Sequence, residues 1–311
     1  MHIDAIPQLD LPKIAILFAA HNGKLYIKQQ LDSIFSQHDV DVTVFVSIDK
    51  SSDGTECLVD KYAKANGKVI SLTGGVTYGA AAPNFFRLLC EVDISGFDYI
   101  AFSDQDDIWN RDKLSSHISL LKKNNADGVS SNVIAFWKDG ATKLIEKSKP
   151  QKKYDFLFES SGPGCTFLMT PWLVNKVKQC LLSNEVAKNV ALHDWLTYAV
   201  CRSSGKKWVI DAAPSIMYRQ HAHNVLGANS GFRALFARVL KMKQGWYRAE
   251  VMKICQVCSS ISTDKMLPFI LDCLKNKRYF STLRLLPFVK NFRRDPIERL
   301  ALALMILFGL F

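Results

Sequence analysis

The chain has 311 residues, 48% hydrophobic and 22% charged, an ordinary balance for a folded protein with a sizeable core in one large domain or two smaller ones. Its net charge of +11 is unevenly placed: residues 231–311 hold 15 Lys+Arg against 5 Asp+Glu, or +10, so the first 230 residues are nearly neutral. The basic character belongs to a C-terminal module suited to an anionic partner, nucleic acid or a membrane surface.

Residues 1–11 show no cationic stretch followed by an apolar one, so no secretory signal is readable. Lys13–Ala20 is a short apolar run that reads as a buried parallel strand. It ends in His21-Asn22-Gly23, and residues 24–37 follow with Leu25, Ile27, Leu31, Ile34 and Phe35 at helical spacing. A second unit has a strand at 42–48, a loop at 49–54 and a helix over Thr55–Ala65. A third has a strand at 68–72, a loop carrying Gly74-Gly75 and a helix near 83–92; a fourth strand covers 99–102. Alternating strand and helix predicts a parallel α/β sheet, whose ligands lie beyond the carboxyl ends of the strands. After about Asn124, strand-like pieces at 128–137, 165–170, 207–210 and 215–219 mix with helices near 171–182 and 194–202, expected to complete the sheet and wall the cleft.

From Phe232 the chain reads as helices, a long one to Ser260 and shorter ones divided by Pro268, Pro287 and Pro296. Residues 300–311 are uncharged and almost wholly apolar, with Lys290, Arg293, Arg294 and Arg299 just upstream. They are too few to cross a bilayer, which takes about 20 residues. The pattern suits an interfacial anchor on an anionic leaflet; a terminal helix docked on its own core is the alternative. Eight scattered cysteines read as reduced core residues of a cytosolic protein, and the single CxxC pair, Cys255 and Cys258, lacks the further ligands a zinc site needs.

At the end of the fourth strand stands Ser103-Asp104-Gln105-Asp106-Asp107-Ile108-Trp109, with three carboxylates in four residues. Carboxylates crowded in this way repel, and at the end of a buried strand the usual remedy is a divalent cation with oxygen ligands, as in nucleotide diphosphate sites. An exposed acidic turn is the plainer alternative, and for Asp107 a cap on a helix starting near Arg111 is expected. Asn22, Asp49 and Asp104 all fall at carboxyl ends of strands, which favours the metal and nucleotide. The first strand is not followed by G-x-G-x-x-G or by a Gly/Arg-rich phosphate loop, and G-x-x-x-x-G-K-[ST] does not occur. Dinucleotide-dependent dehydrogenases, sugar nucleotidyltransferases and P-loop NTPases are thereby excluded.

Seven pieces stand in order: Ala20-His21-Asn22-Gly23, Asp49-Lys50-Ser51-Ser52-Asp53-Gly54-Thr55, Asn84-Phe85-Phe86-Arg87-Leu88-Leu89, the acidic run, Gly164-Cys165-Thr166, His193-Asp194-Trp195 and Tyr218-Arg219-Gln220-His221. Over roughly residues 14–227 the chain resembles the family 2 glycosyltransferases, and its DQDD, HDW and YRQH most resemble the bacterial branch often assigned as rhamnosyltransferases. The resemblance implies an α/β GT-A fold over residues 1–230, a mostly parallel sheet flanked by helices. Residues 231–311 would then be a basic helical C-terminal extension that anchors the protein at a membrane surface. It implies inverting transfer of a sugar from dTDP-rhamnose or a UDP-hexose to a saccharide acceptor, polyprenyl-linked, in O-antigen or capsule synthesis. The enzyme would be cytoplasmic, peripheral to the inner face of the cytoplasmic membrane, with Mn²⁺ or Mg²⁺ as cofactor and no nucleic acid partner. One piece departs from the pattern: Ile48-Asp49-Lys50-Ser51 stands where the family usually has Asp-Asp-Gly-Ser, which leaves donor identity open.

Residue by residue, the resemblance implies Asp106 in direct contact with the metal and Asp104 on the ribose or in the metal's water shell. Arg219 and His221 would touch the diphosphate or the metal, with an ordinary loop histidine the alternative for His221. Asp194 matches the base that takes the acceptor hydroxyl's proton; a helix N-cap is its alternative. Ala20, His21, Asn22 and Asp49 fall on the nucleobase and ribose side, and Asn84 and Gln105 are expected to line the donor pocket. His21 has no specific role within that set, and His223 is left unassigned. Gly74-Gly75 and Gly162-Pro163-Gly164 read as turns that let backbone approach a ligand. The alternative outside enzymes is a membrane-surface adaptor with a degenerate transferase domain, disfavoured because Asp49, Asp104, Asp106 and Asp194 are all present.

Overall fold

The computed structural model describes residues 11–72, 77–221, 245–276 and 278–311. Its centre is β1 (Lys13–Ala20), buried along all but its first residue. It pairs in parallel with β2 (Asp41–Ile48) over its whole length, Lys13 opposite Asp41 and Ala20 opposite Ile48, and with β4 (Tyr99–Ser103) on its other edge. β3 (Val69–Ser71), β6 (Gly128–Ser131), β9 (Leu168–Met169) and β10 (Trp208–Asp211) complete a seven-stranded sheet in the order β10-β6-β9-β4-β1-β2-β3. Among these strands only β9 runs antiparallel to its neighbours. The order runs outward from β1 to β3 and then returns to place β4 on β1's opposite edge. In sheets of this kind ligands bind beyond the carboxyl ends of the strands that flank such a reversal, here β1 and β4.

Because side chains alternate across a strand, β1 supplies both faces. Ile14, Ile16, Phe18 and Ala20 pack with α1 (Ile27–Phe35), α2 (Thr55–Ala65) and α4 (Lys113–Asn124). Ala15, Leu17 and Ala19 pack with α3 (Ala81–Glu91), α5 (Pro171–Ser183) and α7 (His193–Ser203). A small second sheet, in the order β5-β11-β7-β8, joins β5 (Ile108–Trp109), β11 (Ile216–Arg219), β7 (Val133–Phe136) and β8 (Thr142–Ile145).

The expected strand 128–137 is two strands in two sheets. The chain changes sheet at Asn132, whose side-chain oxygen accepts from the amides of Lys147 and Ser148 and whose nitrogen donates to Ala212 O. The expected strand at 165–170 is largely a 3-10 turn, Gly164–Thr166, before the short β9.

The C-terminal helices are α8 (Trp246–Ile261), α9 (Met266–Lys275), α10 (Tyr279–Leu283) and α11 (Pro296–Leu307), after α6 (Glu185–Lys188) earlier in the chain. The beginning of the long helix expected from Phe232 lies outside the described residues. Val251, Ile254, Leu302 and Ile306 share one buried core with Leu17 and Phe102 of the central sheet. These helices are therefore a layer of the domain and not an appended module. Cys255 and Cys258 are buried there, donating to Leu267 O and Ala199 O, as core thiols. An ionic network ties the layer down. Fully buried Asp155 accepts from Tyr198, Arg202 and Arg294, and Arg294 also binds Glu159 and Ser160 O. Among the described residues no helix is long and apolar enough to cross a membrane.

Candidate active site

Three loops meet at these strand ends. After β1, the main chain of His21 is gripped by the side-chain amide of Gln105: its N–H donates to Oε1 and its carbonyl accepts from Nε2, both at 2.7 Å. Gly23 is required for this approach, since a Cβ there would lie 2.1 Å from Gln105 Oε1. Asn22 adopts a left-handed conformation (φ 48°), which Asn tolerates better than most residues. Its N–H donates to Ser51 Oγ and its Oδ1 accepts from Ser52 N, so the loops after β1 and β2 are stitched together.

Several residues expected on the donor side brace these loops. Ala20 is 2% exposed, and its carbonyl accepts from Asp49 N. Asn84 is 3% exposed, and its Nδ2 donates to Ser47 O and, at 3.4 Å, to Ala20 O. Its Nδ2 thus braces β1 against β2, while its buried Oδ1 has no hydrogen-bond partner among the described residues. Asp49 accepts the amides of Tyr78 at Oδ1 and Gly79 at Oδ2, both at 2.8 Å, and so fixes the segment leading into α3.

The acidic run turns sharply from β4 into β5. Asp107 is not a helix cap, because α4 begins only at Lys113 and Asp107 is 1% exposed. The antiparallel pairing of β5 with β11, Ile108 opposite Met217, carries Arg219 across the run. Arg219 N donates to Asp107 Oδ1 and its Nε to Asp106 O, while the guanidinium lies over the rings of Tyr26 and Phe136. His221 Nε2 meets Asp106 Oδ2 at 2.6 Å and stacks on Tyr26.

Asp104, Asp107 and Cys165 bring potential ligand atoms within 4.8 Å of one another. Burial, then the neighbouring Asp106 and Asp194, push the Asp104 carboxyl up to about 7. Burial and the other two acids of the run hold Asp107 well above the carboxylate range. Asp107 Oδ2 has no hydrogen-bond partner among the described residues. Crowded carboxylates with one orphaned oxygen fit a hard divalent cation. Cys165 suits such an ion poorly, and burial beside two acids keeps its thiol protonated. Asp107 was not anticipated as part of this cluster, although the acid triplet itself carried the signal.

The opposite wall is the start of α7. Asp194 Oδ1 accepts from Trp195 N at 2.6 Å, and its carboxyl lies close enough to Asp104 for the two charges to oppose each other. Burial pushes Asp194 up to about 6 against the lowering effects of Trp195 N–H, the Lys147 ammonium and Gly164 N–H. Gly164 makes this closeness sterically feasible: a Cβ there would stand 2.5 Å from His193 Nε2 and 3.3 Å from Asp194 Cβ. His193, pushed down to about 3 by burial, is a neutral ring stacked at 3.8 Å on Phe85 and edge-on to Phe102. It is a spacer that fixes where α7 begins. The influence of Lys147 on Asp194 was not legible in the sequence, because Lys147 follows the β7–β8 hairpin, 47 residues before Asp194. Gly74-Gly75 and His223 lie outside the described residues.

Asp194 thus lies within electrostatic reach of an acid cluster whose donor atoms fit a hard cation, at the end of β4 where the strand order reverses. The family model for glycosyl transferase family 2 matches residues 15–170. The dTDP-rhamnosyl transferase RfbG of Shigella flexneri is 36% identical over 295 residues, 94% of this chain and 100% of that protein. The UDP-Glc:alpha-D-GlcNAc-diphosphoundecaprenol beta-1,3-glucosyltransferase WfgD of Escherichia coli is 28% identical over 165 residues, 52% of this chain and 62% of that protein. Among solved structures, S. aureus TarS with UDP-GlcNAc superposes with a TM-score of 0.54 at 13% identity, over 96% of this chain and 87% of that one. The mannosyltransferase PcManGT of Pyrobaculum calidifontis, with GDP-Man and Mn²⁺, gives 0.51 at 14% identity, over 97% and 81%. These likenesses show the GT-A fold expected from the motifs. The chain belongs to glycosyl transferase family 2.

Proposed function

We propose that this chain is an inverting, metal-dependent rhamnosyltransferase. It moves rhamnose from dTDP-rhamnose to a polyprenyl-linked saccharide in O-antigen synthesis, as a cytoplasmic enzyme peripheral to the inner membrane face. The observation that carries the chemistry is the Asp194 carboxyl at the start of α7, held by Trp195 N and near enough to Asp104 for their charges to oppose each other. The extended likeness to a dTDP-rhamnosyl transferase supports the donor, and the diphosphoundecaprenol-linked acceptor in the name of the E. coli relative supports the lipid-linked one.

Asp194 accepts the proton of the acceptor hydroxyl as that oxygen bonds to the anomeric carbon and the bond to the nucleoside diphosphate breaks. A single base opposite the leaving group gives inversion. Asn22, Gln105 and Asp49 hold the loops that shape the donor side. A Mn²⁺ or Mg²⁺ ion held by Asp106 and Asp104, with Asp107 and His221 beside it, would neutralise the charge that builds on the departing diphosphate.

Calorimetry with dTDP and UDP, in Mn²⁺ and in EDTA, tests the reading. Metal-dependent binding of dTDP in preference to UDP is expected. Preference for UDP would move the donor to a UDP-hexose, the reading that the E. coli relative favours. Binding of neither would remove the transferase assignment and leave the adaptor.

A further inference from the structure

α11 is apolar on two sides. Leu302 and Ile306 are buried in the core, whereas Ile297, Leu300, Leu304, Leu307 and Phe308 are 79, 61, 44, 44 and 69% exposed. Spaced by three or four residues, or one at the end, the exposed set forms one stripe along the helix. α10 extends it. The Tyr279 hydroxyl donates to Leu307 O, its ring lies against Gly309, and the adjoining Phe280 is 78% exposed. A contiguous apolar surface of this kind marks a contact site.

The charge around the stripe selects what covers it. Residues 278–311 contain six Lys+Arg and two Asp+Glu. Both acids are already paired, Asp295 with Lys149 and Glu298 with Arg293. Arg278 and Lys290 are exposed, whereas Arg284 pairs with Asp272 at 3.7 Å. Aliphatic and aromatic groups ringed by surplus cations match an anionic lipid surface, where the rings and chains enter the headgroup layer and the cations meet phosphates. A second copy would set like charge against like.

We infer that the outward face of α11, with Phe280, docks on an anionic bilayer while the inward face of the same helix stays in the core. This inference rests on the reading of a lipid-linked acceptor and extends it. Sequence alone left membrane contact and core packing as alternatives; one helix does both. The docking face is also fixed to the site. Leu302 and Ile306 share one buried core with Trp195 and Leu196, the residues after Asp194, and Asp295 at the start of α11 pairs with Lys149. The bilayer would therefore hold Asp194 at a set height above the lipid headgroups, where a lipid-linked sugar presents its hydroxyl.

The test is co-sedimentation of the full chain with phosphatidylethanolamine/phosphatidylglycerol vesicles. Wild type is expected to pellet, less so in high salt. Leu300→Ser, Leu304→Ser and Phe308→Ser together should lower partition about tenfold or more, with dTDP binding and transfer to a water-soluble acceptor kept. Arg278→Gln and Lys290→Gln together, both at exposed positions, should lower it as well and so decide the matter if the serine variant fails to fold. Equal pelleting of wild type and the folded variants would overturn the inference. A serine variant that merely turns a dimer into a monomer, with no vesicle binding by wild type, would overturn it in favour of a second copy. If vesicle binding behaves as stated but no sugar is transferred, the function proposed above fails and the docking surface stands.

Discussion

Asp194 is held at the edge of two protonation states. A buried carboxyl loses hydration of its charge, and the Trp195 and Gly164 amides with Lys147 recover only part of it, so its proton leaves near pH 6. That is a favourable value for a base that works near neutrality. Activity should therefore fall about tenfold per pH unit below about 6, as the base becomes protonated, with donor affinity less affected. The same shift is a liability for the fold. The folded value lies above the unfolded 3.8, so the stabilising contribution is complete below about pH 4 and is lost as pH rises through about 6. At neutral pH the ionised group costs up to roughly 3 kcal/mol. Asp194→Asn should remove both the proposed base and the cost. Transfer should drop by about 10²–10⁴-fold while dTDP binding persists and the melting temperature rises. Retained transfer would show that another group takes the proton.

At the scale of elements, the start of α7 is set by a glycine and a buried ring. A Cβ at Gly164 would meet His193 and Asp194, which cannot retreat because His193 is wedged on Phe85 and Phe102. Gly164→Ala should destabilise the fold by about 1–3 kcal/mol and cut transfer sharply. Gly67→Ala, where a Cβ meets nothing within 4 Å, should do neither. Comparing denaturation midpoints and initial rates of the two variants checks this; equal effects would mean that Gly164 is an ordinary turn residue.

Elements with a strong local pattern were legible in the sequence: the continuous apolar run of β1 and the amphipathic α2 have the bounds expected of them. The acidic run stood out as well, because its three carboxylates are adjacent in sequence, and the fold places it at the carboxyl end of β4. What could not be read depends on distant partners. β5 has two residues and exists through its pairing with β11, and the sheet change at Asn132 depends on amides at 147 and 148. The bond from Asn84 Nδ2 to Ser47 O was hidden for a related reason, since sequence names the residue type and its neighbours but not which face of α3 meets the sheet.

Over the whole molecule, the division expected near residue 230 meets a continuous core and a buried charge network. Arg294, 4% exposed, and Arg202 converge on Asp155, which has no access to water and also takes the Tyr198 hydroxyl. Such a network adds little stability compared with apolar packing of equal volume, but breaking it strands a buried charge. Asp155→Ala would leave Arg294 and Arg202 without their shared acceptor, at a cost of about 3–5 kcal/mol, whereas removing an exposed pair such as Lys28 and Asp32 should cost under about 1 kcal/mol. Because the network joins the loop ahead of the catalytic wall to the turn ahead of α11, that loss should not be confined to one part of the chain. Urea unfolding followed by tryptophan fluorescence and by residual dTDP binding should give coincident transitions in wild type and both shifted together in Asp155→Ala. A variant whose C-terminal helices melt first, with dTDP binding intact, would mean that the final layer is a separate unit, and the bilayer contact would then be made by a mobile appendage with no hold on the height of Asp194.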